Sequence, residues 1–350
     1  MPQPQIQEGL ISVVMSTYNR LPTYLEESIE SILYQTYSNF EFIIVDDGSD
    51  NGTTELIRSY NDPRIRLIVN EKNIGLTNSL NKGLEVCKGE YVARMDDDDI
   101  AYPTRFEKQL DYMRKHPDVI VCGTWVEFID QDGNLTGIVP HDYIEDMESY
   151  RISLLFGNHP TIYHPSAFFN RRLIIKHNLR YEPEYNNAED YRLWVQCTTI
   201  GHCAILPEVL LKYRRHSNSI SFAKIKQQRK VDYAIIQKQL DVLHLVIPNE
   251  LMPLHYRFFS NNYELQKLYS IQLKNWLKTI IKANGRYKVY NQKKLKKMIW
   301  NRWRIICQLA VKERPRLKKS VSIILSMTPR GFLYSLKSIG GKICKRNDNK

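Results

Sequence analysis

Four consecutive aspartates, residues 96–99, follow a short apolar segment that has the pattern of a buried strand. Four adjacent like charges repel one another and cannot all be buried without partners. Because successive strand residues alternate sides, Asp96 and Asp98 can face one ligand together. Carboxylate oxygens in that arrangement suit Mg²⁺ or Mn²⁺, hard cations that also bind phosphate oxygens. A solvated acidic loop, or an N-cap for the next helix, is the alternative interpretation.

Asp46 and Asp47 follow a second apolar run, FEFIIV at residues 40–45, and begin a segment rich in turn-forming residues. Acidic side chains at strand ends in nucleotide-binding sheets bond to a ribose or a base, whereas a simple Asx-type turn is the alternative. No G-x-G-x-x-G follows the first strand, and no G-x-x-x-x-G-K-[ST] occurs in the sequence. Dinucleotide oxidoreduction and P-loop hydrolysis are therefore disfavoured, and a nucleotide held through a metal ion fits better.

Strand and helix patterns alternate with short connections through residues 10–125. This alternation predicts an α/β fold, a mostly parallel sheet flanked by helices on both faces. Ligands of such sheets bind beyond the carboxyl ends of the strands, where Thr17, Tyr18, Asp46, Asp47 and residues 96–99 are all predicted to lie. The predicted strands are residues 10–15, 40–45, 65–69, 90–95 and 119–124. The predicted helices are one with Leu25, Ile29, Ile32 and Leu33 on one face, followed by 53–60, 74–87 and 103–115.

The pattern is more mixed between residues 126 and 220. Glu189 and Asp190 fall in the predicted N-cap region of a helix over residues 191–199. Short strands are predicted over residues 203–206 and 210–213. Beyond residue 221 the strand signals fade, and helices are predicted over 224–245, 264–283 and 295–311.

Nine ordered segments of the chain closely resemble the family 2 glycosyltransferases, which have the Rossmann-like GT-A fold and use nucleotide-sugar donors. The resemblance covers roughly residues 9–221, which implies a GT-A catalytic domain there, and it does not extend into a mainly helical region at 222–350. The segments are VVMSTYNR (13–20), FIIVDDGSDNGT (42–53), NIGLTNSLNKGL (73–84), GEYVARMDDDD (89–99), PTRFEKQ (103–109), HPDVIVCGTW (116–125), HPSAFF (164–169), AEDYRLW (188–194) and YRRHSNSIS (213–221).

The resemblance implies roles for the donor-side positions. Thr17 and Tyr18 match residues that line the base pocket. Asp46 matches the acid that binds uracil or ribose, and Asp47 is expected beside it. His164 is expected either in the donor site or packed in the core.

The resemblance also implies a metal site. Residues 95–99 align with a D-x-D-D motif in which Asp96 contacts ribose or metal and Asp98 holds the metal, Mn²⁺ or Mg²⁺. The x position is Asp97 here, a departure that adds charge. His216 matches a position that in some members contacts the metal or the diphosphate. Arg94 is expected to hold the diphosphate or to pair with an aspartate.

The catalytic positions implied by the resemblance are Asp190, which matches the general base, and Glu189, which orients it or contacts the acceptor. The implied reaction is inverting, with a UDP-sugar donor and a saccharide acceptor of bacterial surface polysaccharide, such as O-antigen, capsule or lipooligosaccharide. Alternatives are the same fold with a dTDP-sugar, a nucleotide-sugar hydrolase, or a non-catalytic basic protein that docks on membrane or nucleic acid.

Charge is very unevenly distributed along the 350 residues. Residues 1–224 carry a net charge of −10 and residues 225–350 carry +22, which gives +12 for the chain. The basic region is expected to pack as a solvated extension, or to bind an anionic membrane on which a polyprenyl-diphosphate or other lipid-linked acceptor lies. Nucleic acid is disfavoured because no recognised motif occurs. The membrane interpretation depends on a basic and aromatic segment, Lys293, Lys294, Lys296, Lys297, Ile299, Trp300 and Trp303.

The six cysteines include no C-x-x-C pair, which fits a reduced setting and suggests neither zinc nor a disulfide framework. The N-terminal ten residues have no apolar signal-peptide region, and no run of 18 apolar residues occurs. We therefore expect a cytoplasmic protein, peripheral on the inner face of the cell membrane.

Overall fold

The computed structural model describes residues 4–138, 144, 146–157, 162–215, 225–259 and 271–313. The chain divides into two compact units, Met1–Leu154 with His159–Ile236, and Leu155–Asn158 with Gln237–Lys350. The first unit is an α/β domain, and the described part of the second is mainly helical. The predicted domain boundary at residues 221–222 lies outside the described residues.

The first unit is built on a parallel half-sheet of four strands in the order β3-β2-β1-β4. Helices cover both of its faces, because alternate residues of β1 point to opposite sides. Val13 and Met15 belong to a core that includes Leu25, whereas Val14 lies against Gly83 on the other face. The strands are β1 (Gln7–Thr17), β2 (Phe40–Asp46), β3 (Ile65–Val69) and β4 (Gly89–Met95).

The sheet continues from β4 through strands of mixed direction. The full order is β3-β2-β1-β4-β8-β6-β9-β5, and β7 pairs with β6. Strand β8 is antiparallel to both β4 and β6, whereas β6 and β9 run parallel. These strands are β5 (Ile100–Ala101), β6 (Val119–Ile129), β7 (Leu135–Ile138), β8 (Phe168–Asn170) and β9 (His202–Arg214).

The two short strands predicted at residues 203–206 and 210–213 are one continuous strand, β9. Pro207, which has no N–H group to donate, does not end the strand. Pairing with β6 instead shifts register between Leu206 and Val209, so that Pro207 and Glu208 bulge out and are exposed. A β-bulge can accommodate a proline, which has no N–H to pair, without ending the strand.

The helices that surround the sheet include α7, which begins at Glu189 and not at Tyr191 as the sequence suggested. Both acids of the Glu189–Asp190 pair therefore lie in the first helical turn, where the helix dipole favours negative charge. Gly201 alone separates α7 from β9. The helices of the first unit are α1 (Pro22–Leu33), α2 (Thr53–Ser59), α3 (Leu76–Val86), α4 (Arg105–Lys115), α5 (Met147–Leu155, whose last residue belongs to the second unit), α6 (Arg171–Lys176) and α7 (Glu189–Ile200).

The second unit has its own apolar core between two long helices. The helices toward the C-terminus are α8 (Ile225–Asp241, which begins in the first unit), α9 (Met252–Tyr256), α10 (Ile271–Tyr287) and α11 (Gln292–Glu313). Ile299 and Trp303, predicted to face a membrane, are buried instead. They share one helix face with Leu295 and Ile306 at three- and four-residue spacing, so that face packs inside the protein and leaves the basic face of α11 outward.

Among the described residues, no helix combines the length and the apolar character that crossing a bilayer requires.

Candidate active site

Strand register brings the predicted polar clusters to one edge of the sheet. Thr17 pairs with Asp46 across β1 and β2. Met15 pairs with Met95 across β1 and β4, so Asp96 follows directly beside the end of β1. The carboxyl ends of three neighbouring parallel strands therefore meet, as the sequence predicted, at the place where open α/β sheets bind ligands.

Three carboxylates form a compact group at this edge. Asp96, Asp98 and Asp99 each offer an oxygen, and these oxygens lie within 4.8 Å of one another. Asp99 Oδ1 accepts a hydrogen bond from the backbone N–H of Arg214 at 2.8 Å. Its other oxygen is buried and has no hydrogen-bond partner among the described residues, an arrangement that is costly without a cation or a proton.

This donor set fits a hard divalent cation such as Mg²⁺ or Mn²⁺, because both prefer carboxylate oxygens. Sequence reasoning predicted Asp96 and Asp98 as ligands and missed Asp99, although it follows directly in the chain. The predicted ligand His216 lies outside the described residues.

Arginines offset much of the negative charge of residues 96–99. The guanidinium of Arg20 lies 2.6 Å from a carboxylate oxygen of Asp97 and 3.0 Å from one of Asp98. Arg94 pairs with Asp96, which is one of the two roles that the sequence left open. Burial raises the pKa of the Asp96 and Asp97 carboxyls, and the paired arginines oppose that shift. The additional acid at position 97 is thus neutralised by Arg20, a residue that sequence reasoning did not select.

Glu189 and Asp190 form a second acidic pair at the start of α7. Glu189 is buried, and burial followed by the charge of Asp190 raises its pKa to about 7. Burial also raises the pKa of Asp190, which accepts a 2.7 Å hydrogen bond from the backbone N–H of Tyr191. The positive charge of Arg94 acts on both carboxyls, and the charge of Asp96 acts on Glu189. The two acidic groups therefore lie within electrostatic reach of each other, with Arg94 close to both.

Asp46 is fully buried and holds its own turn. Its Oδ1 accepts from the backbone N–H of Ser49 at 3.0 Å, and its Oδ2 accepts from the hydroxyl of Thr54. This geometry favours the turn interpretation that the sequence left open. The neighbouring residues at the edge are the buried Thr17 and Tyr18, which is 48% exposed.

Asp47 joins the same turn to the loop that follows β3. Its carboxylate accepts from the side chain of Asn70 at 2.8 Å and from the backbone N–H groups of Ile74 and Gly75 at 2.9 and 2.8 Å. Gly48 follows with φ of 78°, and a Cβ there would lie 2.7 Å from the backbone of Lys72. The two loops are thus held in close contact at the edge of the site.

His164 lies in the core beside the site. Its Nε2 is 2.7 Å from the hydroxyl oxygen of Tyr181, and its ring meets that of Trp194 edge to face. Burial, followed by the charge of Arg94, lowers its pKa well below the ordinary value, so the ring is neutral at pH 7. The structure therefore gives His164 the packed environment that the sequence kept as one of two interpretations.

Comparison with known proteins identifies relatives over the first unit. Residues 12–178 match the family described as Glycosyl transferase family 2. The amylovoran biosynthesis glycosyltransferase AmsE of Erwinia amylovora is 34% identical over 217 residues, which make up 61% of this chain and 79% of AmsE.

Two solved structures share the fold at low sequence identity. The crystal structure of S. aureus TarS 1–349 in complex with UDP-GlcNAc has a TM-score of 0.55 and 17% identity, over 85% of this chain and 90% of that chain. The mannosyltransferase PcManGT from Pyrobaculum calidifontis, in complex with GDP-Man and Mn²⁺, has a TM-score of 0.53 and 16% identity, over 89% and 88%. These similarities confirm the predicted GT-A fold.

Proposed function

This chain belongs to glycosyl transferase family 2, and we propose that it transfers a sugar from a UDP-sugar to a saccharide acceptor of a bacterial surface polysaccharide, with inversion at the anomeric carbon. The observation that carries the proposal is the compact Asp96–Asp98–Asp99 group at the carboxyl edge of the sheet, with the Glu189–Asp190 pair within electrostatic reach of Arg94. The name of AmsE supports a polysaccharide product. The bound UDP-GlcNAc of TarS supports a uridine donor.

In this proposal, Asp96, Asp98 and Asp99 hold Mn²⁺ or Mg²⁺, and a bound cation would offset the charge that develops on the departing nucleoside diphosphate. Tyr18 stacks on the base. Thr17 lines the base pocket, whose walls are kept in place by the turns that Asp46 and Asp47 hold. We infer that the anomeric carbon of the bound donor then faces the start of α7.

Asp190 accepts the proton of the acceptor hydroxyl as that oxygen attacks the anomeric carbon from the face opposite the diphosphate. Burial, which raises its pKa, makes it a better base near neutral pH. Glu189, with its pKa of about 7, is partly ionised there. When ionised it adds negative charge beside Asp190 and makes that carboxylate more basic. The positive charge of Arg94 reduces the repulsion between the grouped aspartates and the Glu189–Asp190 pair. His164, which is neutral, packs in the core beside the site.

The donor assignment is tested with the full chain, Mn²⁺ and a panel of UDP, dTDP and GDP, measured by calorimetry. We expect UDP to bind most tightly. UDP-sugars are then incubated with a polyprenyl-diphosphate saccharide, and the product is measured by mass spectrometry and its anomeric configuration by NMR. Tighter binding of dTDP or GDP would reject the uridine donor. Free sugar formed despite excess acceptor would indicate a hydrolase, and no turnover of any donor would favour a non-catalytic docking protein.

Seven basic residues of the second unit lie at and around the connection between α10 and α11, here called the basic turn (residues 282–297). Residues 271–313 contain 12 basic residues and one acidic residue. Asn284 fixes the connection, because its amide donates to the backbone carbonyl of Tyr290 at 2.9 Å and accepts from the N–H of Tyr290 at 2.8 Å. The exposed basic side chains of the basic turn are Lys282, Arg286, Lys288, Lys293, Lys296 and Lys297.

Exposed apolar side chains lie beside the basic turn. The ring of His244 packs at a tilt against that of Tyr287, with centroids 4.4 Å apart, which brings the connection after α8 close to the basic turn. In that connection Val242 is 58% exposed and Val246 is 80% exposed. Exposed apolar residues near a basic segment are typical of surfaces that bind anionic lipid. We propose that the basic turn docks on the inner face of the cell membrane, where a lipid-linked acceptor would be presented.

Neutralising three lysines of the basic turn is expected to weaken binding to anionic vesicles by about 100-fold. Each lysine near such a surface contributes about 1 kcal/mol, and about 1.4 kcal/mol corresponds to a factor of ten. The variant is K293Q/K296Q/K297Q in the full chain, measured by sedimentation with vesicles that contain phosphatidylglycerol.

The matched control removes three exposed lysines of the first unit, K72Q/K88Q/K115Q, and should bind vesicles like the unmodified chain. Equal losses in the two variants, or unchanged binding by the first, would reject the basic turn as the docking surface. Duplex DNA serves as a second probe. Binding to DNA as tight as to vesicles would favour nucleic acid over membrane.

A further inference from the structure

Arg214, the last residue of β9, holds the end of the acidic segment with both its main chain and its side chain. Its backbone N–H donates to Asp99 Oδ1 at 2.8 Å, and its Nε donates to the backbone carbonyl of Asp98 at 2.8 Å. The side chain is 1% exposed. One buried arginine therefore contacts two consecutive residues of the three-carboxylate group.

The two Nη atoms of the Arg214 guanidinium make further contacts with the protein. Nη1 donates to the backbone carbonyls of Asp130 and Gln131 at 3.2 and 3.3 Å, in the turn between β6 and β7. Nη2 pairs with Glu27 of α1, and the guanidinium carbon lies 4.4 Å from the ring centroid of Tyr24. Because the guanidinium is planar and rigid, these contacts fix its orientation.

A second contact restrains the same segment from the other side. The hydroxyl of Ser28 on α1 donates to the backbone carbonyl of Asp99 at 2.5 Å. With Asp99 Oδ1 occupied by Arg214, the unpartnered oxygen of Asp99 is Oδ2. The carbonyls of both residues and one carboxylate oxygen are thus fixed by protein groups, and within the described part of the chain Asp99 Oδ2 has no hydrogen-bond partner.

We propose that Arg214 is a positioning residue of the cation site, which sets the 98–99 backbone so that the carboxylates of Asp98 and Asp99 reach one cation together. This inference rests on the proposed function, since the cation belongs to it. Groups that orient metal ligands from the second layer typically contribute a factor of about 10–100 in metal affinity. Lysine carries the same charge but offers a single ammonium in place of the planar fork.

The sign of the effect separates positioning from simple charge. A positive group next to the carboxylates disfavours a second cation, so a role limited to charge means that neutralising Arg214 strengthens cation binding. If Arg214 instead positions the ligands, loss of its side-chain hydrogen bonds weakens cation binding, whether or not the positive charge is kept.

The experiment measures Mn²⁺ binding to the full chain by electron paramagnetic resonance of free Mn²⁺, with UDP present and no acceptor. We expect R214K and R214Q to bind Mn²⁺ about tenfold more weakly, and E27Q, which loosens one anchor, to show a smaller loss. The apparent KM for Mn²⁺ in sugar transfer should rise by the same factor, while kcat at saturating Mn²⁺ is largely recovered. The control is R64K, because Arg64 is a partly buried arginine that pairs with Asp62 at 2.7 Å in the connection between α2 and β3.

Stronger Mn²⁺ binding by R214Q, or an affinity of R214K equal to that of the unmodified chain, would overturn the inference. If circular dichroism shows that the Arg214 variants do not fold, E27Q decides, because Glu27 is half exposed. Unchanged Mn²⁺ affinity in folded E27Q then refutes the positioning role. If the unmodified chain and D98N bind Mn²⁺ equally, the proposed cation site itself fails and the inference falls with it.

Discussion

Replacing Asp190 with asparagine is expected to lower kcat for sugar transfer by about 10²–10⁴-fold, the usual contribution of a general base. The amide keeps the size of the side chain but cannot take the proton from the acceptor hydroxyl. The dissociation constant of UDP with Mn²⁺ should stay near that of the unmodified chain, because Asp190 is not one of the three grouped carboxylates. Steady-state kinetics and calorimetry on the same preparation separate the two effects.

Glu189→Gln is the matched control for that substitution. Since the pKa of Glu189 is raised to about 7, an amide resembles the form that is already populated at neutral pH, and E189Q should keep far more activity than D190N. In the unmodified chain, kcat should rise as the pH increases through about 7, because ionised Glu189 makes Asp190 more basic. E189Q should lack this rise. Equal losses in E189Q and D190N would contradict the assignment of Asp190 as the base.

Asp98→Asn is expected to cause the second large loss, with weaker Mn²⁺ binding and a kcat lower by on the order of 10²–10³-fold, since a bound cation contributes several kcal/mol of charge stabilisation. The substitution removes one of three carboxylates whose oxygens lie within 4.8 Å of one another. Mn²⁺ titrations and transfer rates over a range of Mn²⁺ concentrations measure the two losses.

The neighbouring Asp97 supplies the control within the same run of aspartates. Its carboxylate lies 2.6 Å from Arg20 and is not one of the three grouped carboxylates, so D97N should have a much smaller effect on Mn²⁺ binding. Similar losses in D97N and D98N would mean that the run acts only through its total charge. Asp111→Asn, on an exposed face of α4, checks for nonspecific effects of the same chemical change.

The parts of the fold that could be predicted are those encoded by short, local patterns. Apolar strands followed at once by Asp46 or Asp96 gave the parallel sheet and its binding edge, because burial and turn formation act over a few residues. The residues that hold the acids in place could not be found this way. Arg214 is 115 residues from Asp99 in sequence, and no periodicity relates the two positions.

The surroundings of individual side chains were also beyond local patterns. The sequence around Ile299 and Trp303 reads equally well as a membrane-facing surface or a core face, and only the packing of α10 on α11 decides for the core. Asp46 and Asp47 are similar cases. Aspartate is a residue type that often contacts ligands. The groups that donate hydrogen bonds to these two aspartates, such as those of Thr54 and Gly75, come close to them only in the folded chain.

Gly201 is the single residue between α7 and β9, and each of these elements carries a residue of the proposed site. The proposed base lies in the first turn of α7, and the residue that anchors the acidic segment ends β9. A Cβ at position 201 would approach the carbonyl oxygen of Asp118 to 2.8 Å, so this junction has no space for a larger residue. The chain between Asp190 and Arg214 therefore consists of one helix, one glycine and one strand. An insertion between α7 and β9 is expected to disturb the proposed base and the backbone at Asp98 and Asp99 together.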